Sequence, residues 1–197
     1  MKFYAVKKGR RPGIYSSWPE CQEQIKGFSG AIFKSFPTKA EAEKFIQEVE
    51  KPAKFDRVFY TDGSFQNGVS GGAAVDTNEK RVYYRRNEEK ELQTNSRGEL
   101  LGIILALKNA KQRETIHVFT DSQYCINILQ NGYSISDNKD LVETYLELKQ
   151  NKQLVVFLEY VQAHVGHYYN ELADTYAEQS LTSEPGVTHS TTFGLDL

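Results

Sequence analysis

The chain holds only two cysteines, Cys21 and Cys125, in 197 residues. They fall in different parts of the sequence, each inside an apolar-periodic stretch. Two such residues make neither a disulfide framework nor a zinc site, so buried free thiols are expected. Long apolar runs are missing too: none approaches the roughly 20 residues that span a bilayer as a helix, so no membrane partner is expected. No signal-peptide h-region and no Arg/Ser-rich presequence precedes Met1-Lys2-Phe3-Tyr4-Ala5-Val6, and a cytoplasmic location is the expectation. There is no internal repeat and no long low-complexity tract. An excess of charge is also lacking, since the net charge is −2. Taken alone, that balance argues against a polyanionic partner.

The distribution of charge says more than its sum. Residues 1–54 carry 11 Lys and Arg against 6 Glu, and the remainder carries 13 against 20 Asp and Glu, giving +5 and −7. A basic head on an acidic body suggests that one part grips a polyanion while the other does something else. Residues 1–48 read as ββαβα. The strands are Phe3–Val6, Ile14–Tyr15 and Ala31–Phe36, with a Gly/Pro turn over 9–13. Ser17 with Glu20 and Thr38 with Glu41 have the spacing of capping boxes and start the two helices. Residues 49–54 read as a short linker. Residues 55–181 begin with three strands and then alternate helices with strands, which predicts a mixed five-stranded sheet covered by helices, an α/β unit beside the small α+β head. Residues 182–197 are polar and aperiodic and read as a frayed tail.

Four acids stand at positions where α/β sheets build sites. Asp62 ends a strand, Glu99 lies in the first turns of a helix, Asp121 follows a strand, and Asp174 sits in the last helix. Each has an ordinary explanation by itself: a turn residue, a first-turn acid, a helix cap, a solvated face. Gathered together they would repel one another unless a divalent cation neutralised them, and Mg²⁺ takes a few carboxylates, waters and phosphate oxygens.

The surrounding text narrows the choice. Thr61-Asp62-Gly63-Ser64, Thr94-Asn95-Ser96-Arg97-Gly98-Glu99-Leu100, Thr120-Asp121-Ser122-Gln123-Tyr124 and the run from His164 to Asp174 resemble, in order and spacing, the type 1 ribonuclease H catalytic domain over residues 55–181. The resemblance implies that Asp62, Glu99, Asp121 and Asp174 bind two Mg²⁺ ions, with Mn²⁺ a substitute. It implies cleavage of the RNA strand of RNA–DNA hybrids, leaving 5′-phosphate and 3′-hydroxyl ends. It also implies that His164 assists proton transfer or product release, with Asn170 setting its loop. His167 is given no role. Asn95 and Gln123 match minor-groove residues, and Thr94 and Asn138 match a pocket for a phosphate of the DNA strand. Residues 132–138 stand where some members carry a basic, tryptophan-containing protrusion. Here the segment is short and not basic, and the acidic body has no tryptophan.

The head resembles the hybrid-binding domain found at the N-terminus of many ribonucleases H. That resemblance implies that Tyr4, Trp18 and Phe33 meet the DNA strand and that Lys34 meets a phosphate. Ser35 replaces a second lysine of some relatives. Aromatic faces among Lys and Arg suit a nucleic-acid surface on physical grounds as well. An RNA–DNA hybrid is therefore the expected partner, with no membrane and no obligate protein partner. Two alternatives remain. One is a non-catalytic hybrid binder, against which the intact acids argue. The other is a different nuclease or integrase on the same fold, against which the head and the His164 loop argue.

Overall fold

A computed structural model describes residues 2–47, 51–88, 92–131, 137–163 and 165–194. The chain divides into two compact units, Met1–Pro52 and Ala53–Leu197. No described helix is long and apolar enough to cross a membrane. His164 and residues 132–136 lie outside the described residues, so the expectations placed on them are not addressed by the fold.

The first unit is a three-stranded antiparallel sheet in the order β2-β1-β3, from β1 (Phe3–Lys8), β2 (Gly13–Tyr15) and β3 (Ile32–Phe36). Helices α1 (Trp18–Ile25) and α2 (Lys39–Gln47) pack on it. The Glu20 carboxylate accepts from the Ser17 backbone N–H at 3.1 Å and from its hydroxyl at 2.8 Å. Thr38 and Glu41 form a reciprocal box, with the Thr38 N–H donating to Glu41 at 3.1 Å and the Glu41 N–H to the Thr38 hydroxyl at 3.3 Å. These side chains satisfy donors that helix starts leave open. Ala5, Val6, Cys21 and Ala42 form the small buried centre.

The second unit is built on a mixed sheet in the order β8-β7-β4-β5-β6-β9. Its strands are β4 (Arg57–Gln66), β5 (Val69–Asp76), β6 (Arg81–Arg86), β7 (Thr115–Thr120), β8 (Val155–Tyr160) and β9 (Thr188–Thr192). β7 runs parallel to both β4 and β8, and the other pairings are antiparallel. Two expectations are corrected here. The sheet has six strands, not five, and the sixth lies in the segment read as a frayed tail. Thr188, Ser190 and Thr192 alternate with His189 and Thr191, a β-branched, hydroxyl-rich pattern that pairs along β6 from Arg81↔Thr192 to Arg85↔Thr188. It lacks the apolar alternation of a core strand because it is an edge. The β4–β5 hairpin is long, pairing from Phe59↔Asp76 to Gln66↔Val69. It closes on Asn67 and Gly68, both with positive φ, a two-residue turn that Asn-Gly favours.

One face of the sheet carries α3 (Asn95–Asn109), α4 (Gln123–Leu129) and α5 (Lys139–Asn151). α3 is buried without interruption from Arg97 to Leu107, apolar on nearly all sides because it is enclosed between sheet and helix. Burying each of its Leu and Ile side chains is worth about 1.5–3 kcal/mol. α6 (Tyr168–Ser180) covers the opposite face, where Ala173 and Ala177, both fully buried, let it lie close to β4 and β5. Cys21 and Cys125 are buried free thiols, as expected.

Candidate active site

The carboxylates come together where β4, β7 and α3 meet. Asp62 lies on β4 and is 6% exposed, Glu99 lies in the second turn of α3 and is 7% exposed, and Asp121 directly follows β7. One oxygen from each of the three lies within 4.8 Å of the others, close enough to share a cation. The parallel pairing of β4 with β7 sets Thr61 beside Thr120, so Asp62 and Asp121 leave neighbouring strands at the same level. Asp174, on α6, is outside this group of three, yet its charge acts on both Asp62 and Glu99.

The electrostatics match a site that requires a positive charge. Burial first, and then the neighbouring Asp121 charge, push the Asp62 carboxyl up to about 8, against a 2.7 Å bond from the Gly63 N–H that favours the carboxylate. Burial, then Asp62 and Asp121, push Glu99 up to about 9. Asn95 donates to Glu99 Oε1 at 3.4 Å, while buried Glu99 Oε2 has no hydrogen-bond partner. A buried oxygen with no donor, on a residue grouped with two other carboxylates, suits a divalent cation.

The other expected contacts divide. Thr94 caps α3, its hydroxyl accepting from the Arg97 N–H at 3.2 Å. Asn138 begins α5 in the left-handed region at φ 59°, buried, and its side-chain amide donates to the Tyr124 hydroxyl at 3.4 Å. Arg97 joins Thr94 to Asn138: its guanidinium reaches Asn138 Oδ1 at 3.5 Å and grips Asp140 at 3.0 and 2.6 Å. Asn95 and Gln123 are exposed, Asn95 touching Glu99 and Gln123 donating to Asn127 at 3.1 Å. Asn170 is buried in the first turn of α6 with Oδ1 lacking a hydrogen-bond partner, and His167 is an exposed residue at the start of α6.

In the first unit Trp18 lies between Tyr4 and Phe33, with ring centroids 5.7 and 5.9 Å away. Trp18 is 41% and Phe33 42% exposed, so this cluster is a surface and not a core. Lys34 follows Phe33 on β3 and therefore projects from the other face, where its ammonium lies 5.6 Å from the Phe36 ring centre. The structure does not bring Lys34 to the aromatic cluster.

Sequence reasoning passed over three residues. Arg97 is a cation in the first turn of a helix, where the dipole disfavours it, and that oddity signals a partner. Glu178 stands four residues after Asp174, hence on the same helix face, and its charge also reaches Asp62. Phe65 is 41% exposed and lies three residues beyond Asp62 on β4.

Comparisons with known proteins agree with this geometry. A family model described as Ribonuclease H1 N-terminal domain matches residues 2–46, and one described as RNase H matches residues 55–182. A Ribonuclease H of Schizosaccharomyces pombe is 26% identical, the match covering 90% of this chain and 96% of that protein. A Ribonuclease HI of Synechocystis is 29% identical over 65% of this chain and 89% of its own length. A Ribonuclease H of Crithidia fasciculata is 57% identical over 44 residues, 22% of this chain and only 9% of that longer protein.

Proposed function

The chain belongs to the ribonuclease H family, and from that premise we propose that it is an endonuclease hydrolysing the RNA strand of RNA–DNA hybrids, with the first unit gripping the duplex and the second cutting it. The observation that carries the reading is the meeting of buried Asp62 and Glu99 with half-buried Asp121, from three separate motifs. These residues, with Asp174, would hold two Mg²⁺ ions, with Mn²⁺ able to substitute. When bound, such cations supply Lewis-acid charge at the scissile phosphate and lower the pKa of an attacking water.

The chain's own groups do the rest. Asn95 orients Glu99 by its hydrogen bond and, with Gln123, faces the minor groove. Thr94 and Asn138, tied together through Arg97, receive a phosphate of the DNA strand. His164 assists proton transfer or product release, with Asn170 supporting it. Tyr4, Trp18 and Phe33 pack against DNA sugars, with Lys34 at a phosphate from the strand's other face. Recognition of 2′-hydroxyls on one strand and of deoxyribose geometry on the other rejects both homoduplexes.

Attack by water opposite the 3′ oxygen breaks the bond from phosphorus to that oxygen. The expected RNA fragments therefore carry 5′-phosphate and 3′-hydroxyl ends, joinable by a ligase and extendable by a polymerase. Fragments ending in a 2′,3′-cyclic phosphate would show that the substrate's own 2′-hydroxyl attacked, and would overturn the mechanism.

A further inference from the structure

Asp62 and Glu99 are each flanked by a glycine, and those glycines meet. A Cβ on Gly63 would lie 2.1 Å from the Glu99 nitrogen and 2.3 Å from the Gly98 carbonyl carbon. One on Gly72 would lie 2.4 Å from the Gly98 oxygen and 2.6 Å from the Gly102 nitrogen. One on Gly98 would lie 2.5 Å from the Gly71 oxygen, and one on Gly102 would lie 2.7 Å from the Asp62 oxygen and 2.8 Å from the Ala73 oxygen. Every one of these neighbours is backbone, so none can rotate aside.

None of the four glycines has a positive φ. Their requirement is therefore space and not backbone conformation. Gly98 and Gly102 also lie inside α3, where glycine weakens a helix. What they permit is direct contact of the α3 backbone with β4 and β5, without side chains between. In most helix–sheet contacts interleaved side chains set the spacing and can repack. Here the two acids hang from backbones that touch, and the distance between their attachment points cannot relax.

We infer that Gly63, Gly72, Gly98 and Gly102 form a positioning clasp that sets the separation of Asp62 and Glu99 and, through it, the affinity for the divalent cation. This rests on the metal-binding reading above. A methyl group at position 102 must lift α3 from the sheet at the level of Asp62.

The test is direct cation binding by the full-length chain, followed by calorimetry with Mn²⁺ and with Mg²⁺, without substrate. Gly102→Ala is expected to bind about tenfold more weakly or worse, the scale of loss typical when support around a metal ligand is removed. Leu107→Ala, two turns beyond Glu99 on α3, serves as the control: it lowers the melting temperature without changing cation affinity. Circular dichroism at the working temperature establishes that each variant is folded. Should Gly102→Ala not fold, Glu99→Asp reads the same property with charge retained. A clasped helix cannot follow the shortened side chain, and affinity falls about tenfold. A wild-type chain that binds no cation refutes the metal reading itself. A wild type that binds, together with a folded Gly102→Ala or a Glu99→Asp that binds equally well, overturns the clasp alone.

Discussion

Replacing Asp62 with Asn is expected to reduce hybrid cleavage by roughly 10³-fold or more, because losing a ligand to the catalytic cation forfeits several kcal/mol of transition-state stabilisation. Hybrid affinity should stay near the wild-type value, since the aromatic cluster of the first unit is untouched. The same substitution should stabilise the metal-free protein. The folded chain holds the Asp62 carboxyl at about 8 against an ordinary 3.8, so between these values it keeps a proton that the unfolded chain gives up. Raising the pH through that window therefore favours unfolding, and the cost is complete above about 8. The gain in melting temperature of Asp62→Asn over wild type should be small near pH 4, grow with pH, and level off above pH 8. Mg²⁺ should raise the wild-type melting temperature most at the alkaline end. A variant that cleaves at nearly the wild-type rate would refute the assignment of Asp62, and a flat stability difference would refute the burial cost.

The second large effect concerns the grip. Removing both exposed rings in Trp18→Ala/Phe33→Ala should weaken hybrid binding by about 10²-fold, given roughly 1–3 kcal/mol per aromatic contact with a nucleic acid. The loss should appear in KM, with kcat at saturating substrate unchanged, because neither ring belongs to the unit that carries the acids. Fluorescence anisotropy with a labelled hybrid measures the first quantity and steady-state cleavage the second. An unchanged dissociation constant would show that the Tyr4–Trp18–Phe33 cluster has another purpose. Lys34→Ala should cost less, since its ammonium lies over Phe36 and not beside Trp18.

Much of this was legible in the sequence because local rules and global fold agree. The capping pairs Ser17/Glu20 and Thr38/Glu41 begin the helices they mark. The spacing of Leu100, Ile103, Ile104 and Leu107 gives α3, although the structure buries every side of it. Asp62, Glu99 and Asp121 do converge, and the text around them said so more clearly than any one acid could. What was hidden depends on long-range contact. The packing role of Gly63 and Gly72 was one such feature, because nothing local reveals that a helix backbone will lie against them. β9 was hidden because an edge strand of Thr and Ser, exposed on alternate residues, carries no apolar period. The role of Arg97 depends on Asn138 and Asp140, some forty residues away along the chain.

The most direct measurement uses RNA labelled at its 5′ end, annealed to DNA, annealed to RNA, or left single, and incubated with Mg²⁺ or with EDTA. Cutting of the hybrid alone, and only with the metal, is the predicted result. Binding of the hybrid without cutting, or equal cutting of all three forms, would contradict the assignment of Asp62, Glu99, Asp121 and Asp174 to hybrid-specific, metal-dependent hydrolysis.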